Sequence, residues 1–362
     1  MKMKKNILCL LIINLAFLAS AYDIWDYYDG LKLNDPKTVQ FCLKNLSSWD
    51  LFERNDEGKS AAIKAIDQND LNVLKVLAQI SAESAFVTSD ENENDCLMYA
   101  VIHDKLSAFK TMLENADSVD ELSYGRENDD GKTLLDLVML PGKEEFARFT
   151  FKFLFMQPKG VANLAYLFNE KNPYVFTAVK KGYIDVNYRF EEGVTLVQKL
   201  CDIYYDEDEA AEAIDFLCEH GANVNTFDDK DESPFTVAMW NDYPKRAAVI
   251  LANGYDVDME DKFHCSAMTS TITSVNKHPE VLEELCKAGV DVNKRLTGEK
   301  SRYTPLTYAL NTWDNWACIE ILLRYGADIQ LKDGWGSVPL DILKTKSKKD
   351  YYKLAKKAGY IK

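Results

Sequence analysis

The sequence predicts an all-α solenoid, a stack of about ten helical pairs joined by projecting turns. Repetition is the main reason. Phe216-Leu-Cys-Glu-His-Gly-Ala-Asn-Val-Asn225, Ile250-Leu-Ala-Asn-Gly-Tyr-Asp-Val-Asp258, Leu285-Cys-Lys-Ala-Gly-Val-Asp-Val-Asn293 and Leu322-Leu-Arg-Tyr-Gly-Ala-Asp-Ile-Gln330 share one pattern. Each is followed by a polar stretch and a second signature, whose apolar third positions Phe235, Met268, Leu306 and Leu340 lie 33, 38 and 34 residues apart. A period in that range marks stacked supersecondary units that share a core. Composition is the other reason: 47% apolar and 28% charged residues are globular values, which excludes wholesale disorder.

Taken in chain order, residues 1–21 read as an export signal. Lys2, Lys4 and Lys5 precede the apolar run Ile7–Leu18, and Ala19-Ser20-Ala21 offers small residues for cleavage between Ala21 and Tyr22. That run of 12 residues reaches about 18 Å as a helix, short of a hydrocarbon core of about 30 Å. Residues 22–57 read as an N-terminal capping repeat, with helices over Ile24–Asn34 and Thr38–Leu46. Residues 58–192 carry degenerate repeats. Ser60–Ala65, Asp95–Ala100 and Thr133–Val138 fill the first-helix slot there, and Gly160–Asn169 is a worn example. Val138–Arg148 is irregular. Residues 193–345 carry clear repeats, and 346–362 a capping helix. One unbroken array is expected.

Each recurring residue has a physical reason. Ser233 and Thr304 can cap a helix N-terminus with a hydroxyl. Pro234, Pro305 and Pro339 then take the first helical position, where a missing N–H costs nothing. Gly221, Gly254, Gly289 and Gly326 end the second helix, where the chain turns left-handed.

These signatures resemble the ankyrin repeat, with its Thr-Pro-Leu-His and Gly-Ala-Asp-Val-Asn motifs about every 33 residues. The resemblance is specific over residues 193–345. It implies helical pairs with β-turn fingers, and binding of a protein partner by the concave face. The chain departs from the pattern where the histidine should stand, with Thr236, Thr307 or Asp341 instead. It also lengthens the segments Tyr204–Glu209 and Leu296–Ser301.

Lys plus Arg number 43 and Asp plus Glu 58, for a net charge of −15. Cleavage would remove three lysines and take it to −18. An acidic chain lacks the footprint of a nucleic-acid binder. From Lys344 onward, however, there are eight lysines and one acid. Seven cysteines would remain after cleavage, without CxxC spacing; they read as small core residues, with a Cys201–Cys218 bridge left open. No GxSxG, HExxH, phosphate-cradling loop or dinucleotide fingerprint occurs. Catalytic residues, metal ligands and cofactors are therefore not expected. Asp206–Glu209 lacks the spaced oxygens of a calcium loop and reads as a solvated helix start.

The candidate partner-binding residues are Trp240, Trp313, Trp335, Phe263, Asp229, Lys262 and Arg302. Tryptophan is enriched at binding hot spots because it buries much area with few rotors. The alternative for the tryptophans is packing against a neighbouring unit. Trp316, spaced with Ile319 and Leu323, reads as core. The expected protein is a monomeric, non-catalytic protein-binding scaffold, periplasmic or secreted, whose partner carries a basic patch. A secreted effector or inhibitor acting on another cell is the alternative. Residue usage points to a bacterial source.

Overall fold

The structure is a computed structural model describing residues 23–115, 125–155, 160–274, 278–312 and 316–361. The export-signal segment, Ala21, Tyr22 and Trp313 lie outside the described residues. Among those described there are helices, turns and three isolated β-bridges. No described helix is long and apolar enough to cross a membrane. The chain divides into two compact units, residues 1–160 and 161–362.

The first unit opens with the pair α1 (Ile24–Lys32) and α2 (Pro36–Asn45). It continues with α3 (Ala61–Gln68), α4 (Leu71–Phe86, kinked at Ser81), α5 (Cys96–Ile102), α6 (Leu106–Glu114), α7 (Leu134–Val138) and α8 (Glu144–Phe155). The first helices α3, α5 and α7 pack side by side in one layer, and α4, α6 and α8 in a second. Local chemistry starts the first helices: Ser60, Asp95 and Thr133 side chains accept from the N–H groups of Ile63, Met98 and Asp136. Ala62, Leu97 and Leu135 behind them are buried. The irregular stretch 138–148 resolves into the end of α7, a turn and the start of α8.

The second unit opens with α9 (Gly160–Asn169) and α10 (Pro173–Lys180). Four full pairs follow: α11 (Leu196–Asp202) with α12 (Glu207–Glu219), α13 (Pro234–Trp240) with α14 (Pro244–Ala252), α15 (Ala267–Thr273) with α16 (Pro279–Lys287), and α17 (Pro305–Thr312) with α18 (Trp316–Arg324). The short α19 (Pro339–Leu343) and the lysine-rich α20 (Lys349–Lys357) close it. First helices α11, α13, α15, α17 and α19 form one layer; second helices α12, α14, α16 and α18 form the other. Leu310, Ile319, Leu322, Leu343, Ala355 and Ile361 share the terminal core, with Trp316 packed against it. Asp206–Glu209 is the capped start of α12, where Asp206 accepts from two backbone N–H groups.

Two devices repeat along this unit. Gly221, Gly254, Gly289 and Gly326 sit just past the second helices at φ between 84° and 92°. There the chain reverses and returns a backbone N–H to the helix, as from Ala222 to Leu217 at 2.9 Å. Four or five residues beyond such a glycine, an asparagine amide links neighbouring repeats. Asn225 donates to the Gly254 carbonyl at 3.0 Å and accepts from Asp256 N–H at 2.7 Å. Asn187 treats Gly221 and Asn223 in the same way, and Asn293 treats Gly326 and Asp328. The equivalent position is Asp258, a carboxylate that cannot donate; it pairs with Lys294 instead at 2.7 Å.

Candidate protein-binding groove

Six of the described turns preceding first helices, all but those before α11 and α17, are built on one loop. Asn55, Asp90, Asn128, Asp228, Asp261 and Asp333 each stand five residues before the residue ahead of a helix. In each, the side-chain oxygen accepts from the N–H groups two and four residues on. The backbone N–H donates to the carbonyl four residues on. The residue three positions on has φ near +60° to +80°: Gly58, Glu93, Gly131, Asp231, His264 or Gly336. Asp261 shows the geometry, with its carboxylate 2.8 Å from Phe263 N and 2.9 Å from Cys265 N. Adjacent fingers are tied by backbone bonds, Asp229 N to Glu192 O at 2.8 Å and Lys262 N to Asp231 O at 3.3 Å.

Beneath the fingers, the missing histidine is replaced by a hydroxyl pair. Ser233 Oγ lies 3.0 Å from Thr236 Oγ1, and Thr304 Oγ1 lies 3.1 Å from Thr307 Oγ1. Ser233 also meets the Tyr255 hydroxyl at 2.8 Å, and Thr269 meets Thr297 at 3.0 Å. The fingers are thus anchored on buried polar contacts, while their tip side chains face outward.

The sequence-selected residues fall into two groups. Trp240, at the end of α13, is 48% exposed, and Phe263, on the finger ahead of α15, is 58% exposed. Their ring centroids are 5.9 Å apart with planes at 52°, and the Lys262 ammonium sits 5.4 Å from each. Lys262 is also paired with Glu232. These rings line a groove of about 310 Å³, together with Met239, Asp242, Asp261, Cys265 and residues of α15. Asp242 Oδ1 lies 2.7 Å from His278 Nε2. Burial raises the Cys265 thiol above its ordinary range, so it is held as a thiol near neutral pH rather than as a nucleophilic thiolate.

The second group is Arg302 and Trp335. Trp335 is 62% exposed at its finger tip, and the Arg302 guanidinium from the preceding finger lies 4.4 Å from its ring centroid. Asp229 is separate from both: it faces Arg189 at 3.4 Å across neighbouring fingers. The extended finger 296–302 carries Gly298, where an added Cβ would come within 2.7 Å of the Phe263 carbonyl. A close approach of that kind needs glycine.

Sequence reasoning missed Arg246. Its side chain on α14 is fully buried. The guanidinium donates to the carbonyls of Leu200 at 2.7 Å, Ile203 at 2.9 Å and Tyr205 at 2.9 Å, and lies 3.7 Å from the Tyr243 ring centroid. It therefore closes the C-terminal end of α11, where carbonyls lack helical partners and a cation is favoured. Burial lowers its pKa.

Residues 238–333 match the family model described as ankyrin repeats, in three copies. No curated protein matches the chain. Among solved structures, the crystal structure of EF0377, an ankyrin repeat protein, is similar at 20% identity and a TM-score of 0.42, over 56% of this chain and 98% of that one. A chain of the Bd0816 predatory endopeptidase from Bdellovibrio bacteriovorus in complex with immunity protein Bd3460 is similar at 21% identity and a TM-score of 0.41, again over 56% and 98%. Residues 238–333 are thus ankyrin repeats, within a chain whose described residues are all-α and built of stacked helical pairs. Its repeats are of a kind that serves as a scaffold for protein–protein interaction.

Proposed function

We propose that this chain is a non-catalytic binding scaffold that holds a protein partner along its fingers and first helices, outside the cytoplasm. The observation that carries the reading is the exposure of Trp240 at the end of α13, and of Phe263 and Trp335 on fingers whose backbones are already satisfied. Solvent-facing aromatic rings on a rigid support are what binding hot spots are made of. The acidic chain favours a partner with a basic patch, by attraction and by steering. Export rests on the charged and apolar pattern of residues 1–21.

The test is to compare proteins captured by the wild-type chain and by Trp240→Ala and Trp335→Ala variants, then to measure the captured partner by surface plasmon resonance. An anchor residue should contribute about 2 kcal/mol to binding. Asp229→Lys should slow association and flatten its salt dependence, as a rim charge does. Normal binding by both tryptophan variants, with loss on changing exposed second-helix residues, would overturn the groove assignment. Fractionation checks export: recovery of the full-length chain from the cytoplasm alone would contradict it.

A further inference from the structure

We propose that the lysine-rich end of the second unit docks the chain on an anionic phospholipid surface. Three observations converge. First, α20 sorts its residues by face. Ala355 is buried in the terminal core, and Tyr351 and Tyr352 pack against that core. Lys349, Lys353, Lys356 and Lys357 are exposed. At about 100° per residue these four fall within an arc of roughly 100°, opposite the packed face. Lys344 and Lys346, also exposed, add two charges just ahead of the helix. Second, the charge is barely compensated. Asp350 is the one acid from Lys344 onward. It pairs with Lys353 at 3.0 Å, and both side chains are exposed, so the pair is weak. No other described acid pairs with these six lysines. Third, charge is segregated within the unit. Residues 161–343 carry 17 Lys and Arg against 31 Asp and Glu. An anionic surface repels that body and attracts only the end.

The residue types favour a lipid surface over a protein. From Lys344 onward there is no arginine and no tryptophan, although the chain has eight arginines and six tryptophans upstream. Those residue types dominate protein hot spots, and the planar fork of arginine is what reads a fixed carboxylate or phosphate. Lysine is a mobile point charge on a long stem. It suits a surface whose charges are themselves mobile and spread, as lipid headgroups are. The apolar side of α20 stays engaged with its own repeats, the Tyr351 ring lying 5.7 Å from that of Trp316. The contact is therefore peripheral and electrostatic, and it uses none of the finger residues.

Cosedimentation of the full chain with vesicles tests the proposal. Vesicles of about 30% phosphatidylglycerol in phosphatidylcholine should carry the chain down at about 0.05 M salt and release it towards about 0.5 M. Pure phosphatidylcholine vesicles set the baseline, including any contribution of the apolar residues 7–18. Each lysine close to such a surface strengthens partition about fivefold. The combined variant Lys349→Gln, Lys353→Gln, Lys356→Gln and Lys357→Gln should therefore partition at least about a hundredfold more weakly. Its helical spectrum and melting midpoint should match wild type, since these side chains face solvent. Arginine at the same four positions should keep partition within about threefold, because the surface reads charge. Equal partition onto both vesicles, undiminished binding by the glutamine variant, or loss of binding by a folded arginine variant would each overturn the proposal. Sedimentation velocity of the chain alone at low salt covers the other acidic occupant, the body of a second copy. A dimer that depends on the four lysines, in place of vesicle binding, would also overturn it. The groove reading fails separately, because Trp240→Ala and Trp335→Ala should leave vesicle binding unchanged.

Discussion

Arg246 gives the sharpest test of how the repeats are held together. Its guanidinium makes three hydrogen bonds of 2.7–2.9 Å to carbonyls at and beyond the end of α11. Arg246→Met keeps an apolar stem of similar reach and removes every donor. The three carbonyls are then left near a buried side chain that cannot satisfy them. Each orphaned acceptor costs about 1 kcal/mol or more. Relief from no longer burying a cation offsets part of this. The expected loss is about 3 kcal/mol, which for a unit of this size lowers the melting midpoint by roughly 6–12 °C. Arg246→Lys restores the charge but not the planar fork, and a single ammonium cannot span three separate carbonyls. It should recover less than half of the loss. The assay is thermal melting followed by circular dichroism, with amide exchange of residues 203–206 as the local readout. A midpoint for Arg246→Met within about 2 °C of wild type, without faster local exchange, would refute the reasoning.

Other outcomes follow from the same geometry. Asp258→Asn completes the asparagine ladder towards Gly289 and Asp291 at the expense of one exposed ion pair; it should stabilise by about 0.5–1 kcal/mol, seen as a raised melting midpoint. Gly289→Val should destabilise by at least about 1–2 kcal/mol through backbone conformation alone, since its φ is +87° and nothing lies within 4 Å of an added Cβ; an unchanged midpoint rejects the helix-end assignment. All seven described cysteines are free, and burial raises Cys218 to about 11 and Cys286 to about 12. Thiol titration near pH 8 should find at most two fast-reacting groups in the native chain, the partly exposed Cys218 and Cys265, and the remainder only after denaturation.

Much of this architecture is legible in the sequence because its determinants are local. A serine or threonine at the helix start, a proline behind it and a glycine past the second helix act over a few residues. The worn upstream units are legible for the same reason: Ser60, Asp95 and Thr133 cap their helices through side-chain oxygens. A further local signal marks these units, an aspartate or asparagine five residues before the residue that precedes the helix. Contacts set by stacking were not legible. Arg246 follows Pro244 and Lys245 at a helix start, where a basic residue reads as solvated charge. The carbonyls that hold it lie more than 40 residues upstream. Trp240 and Phe263 could be placed on one face by register, but the lysine between their rings depends on how a finger leans over α13.

The fingers separate what holds the loop from what the loop displays, and Asp261 tests that separation. One carboxylate oxygen fixes the turn by accepting from Phe263 N and Cys265 N, and the residue is almost fully buried. Lys262 and Phe263, immediately after it, contribute exposed side chains and no side-chain bond to their own loop's backbone. Asp261→Ala should therefore remove two backbone hydrogen bonds and destabilise by about 2 kcal/mol. Asp261→Asn keeps the accepting oxygen, as Asn55 and Asn128 do in their own fingers, and should be nearly neutral. Phe263→Ala should leave the melting midpoint within about 0.5 kcal/mol of wild type, as exposed positions do, while weakening binding at the groove. Thermal melting of the three variants beside their binding curves decides the matter. A Phe263→Ala variant that melts as early as Asp261→Ala would mean that the aromatic tip is part of the scaffold. Recognition and folding would then share residues that the loop geometry keeps apart.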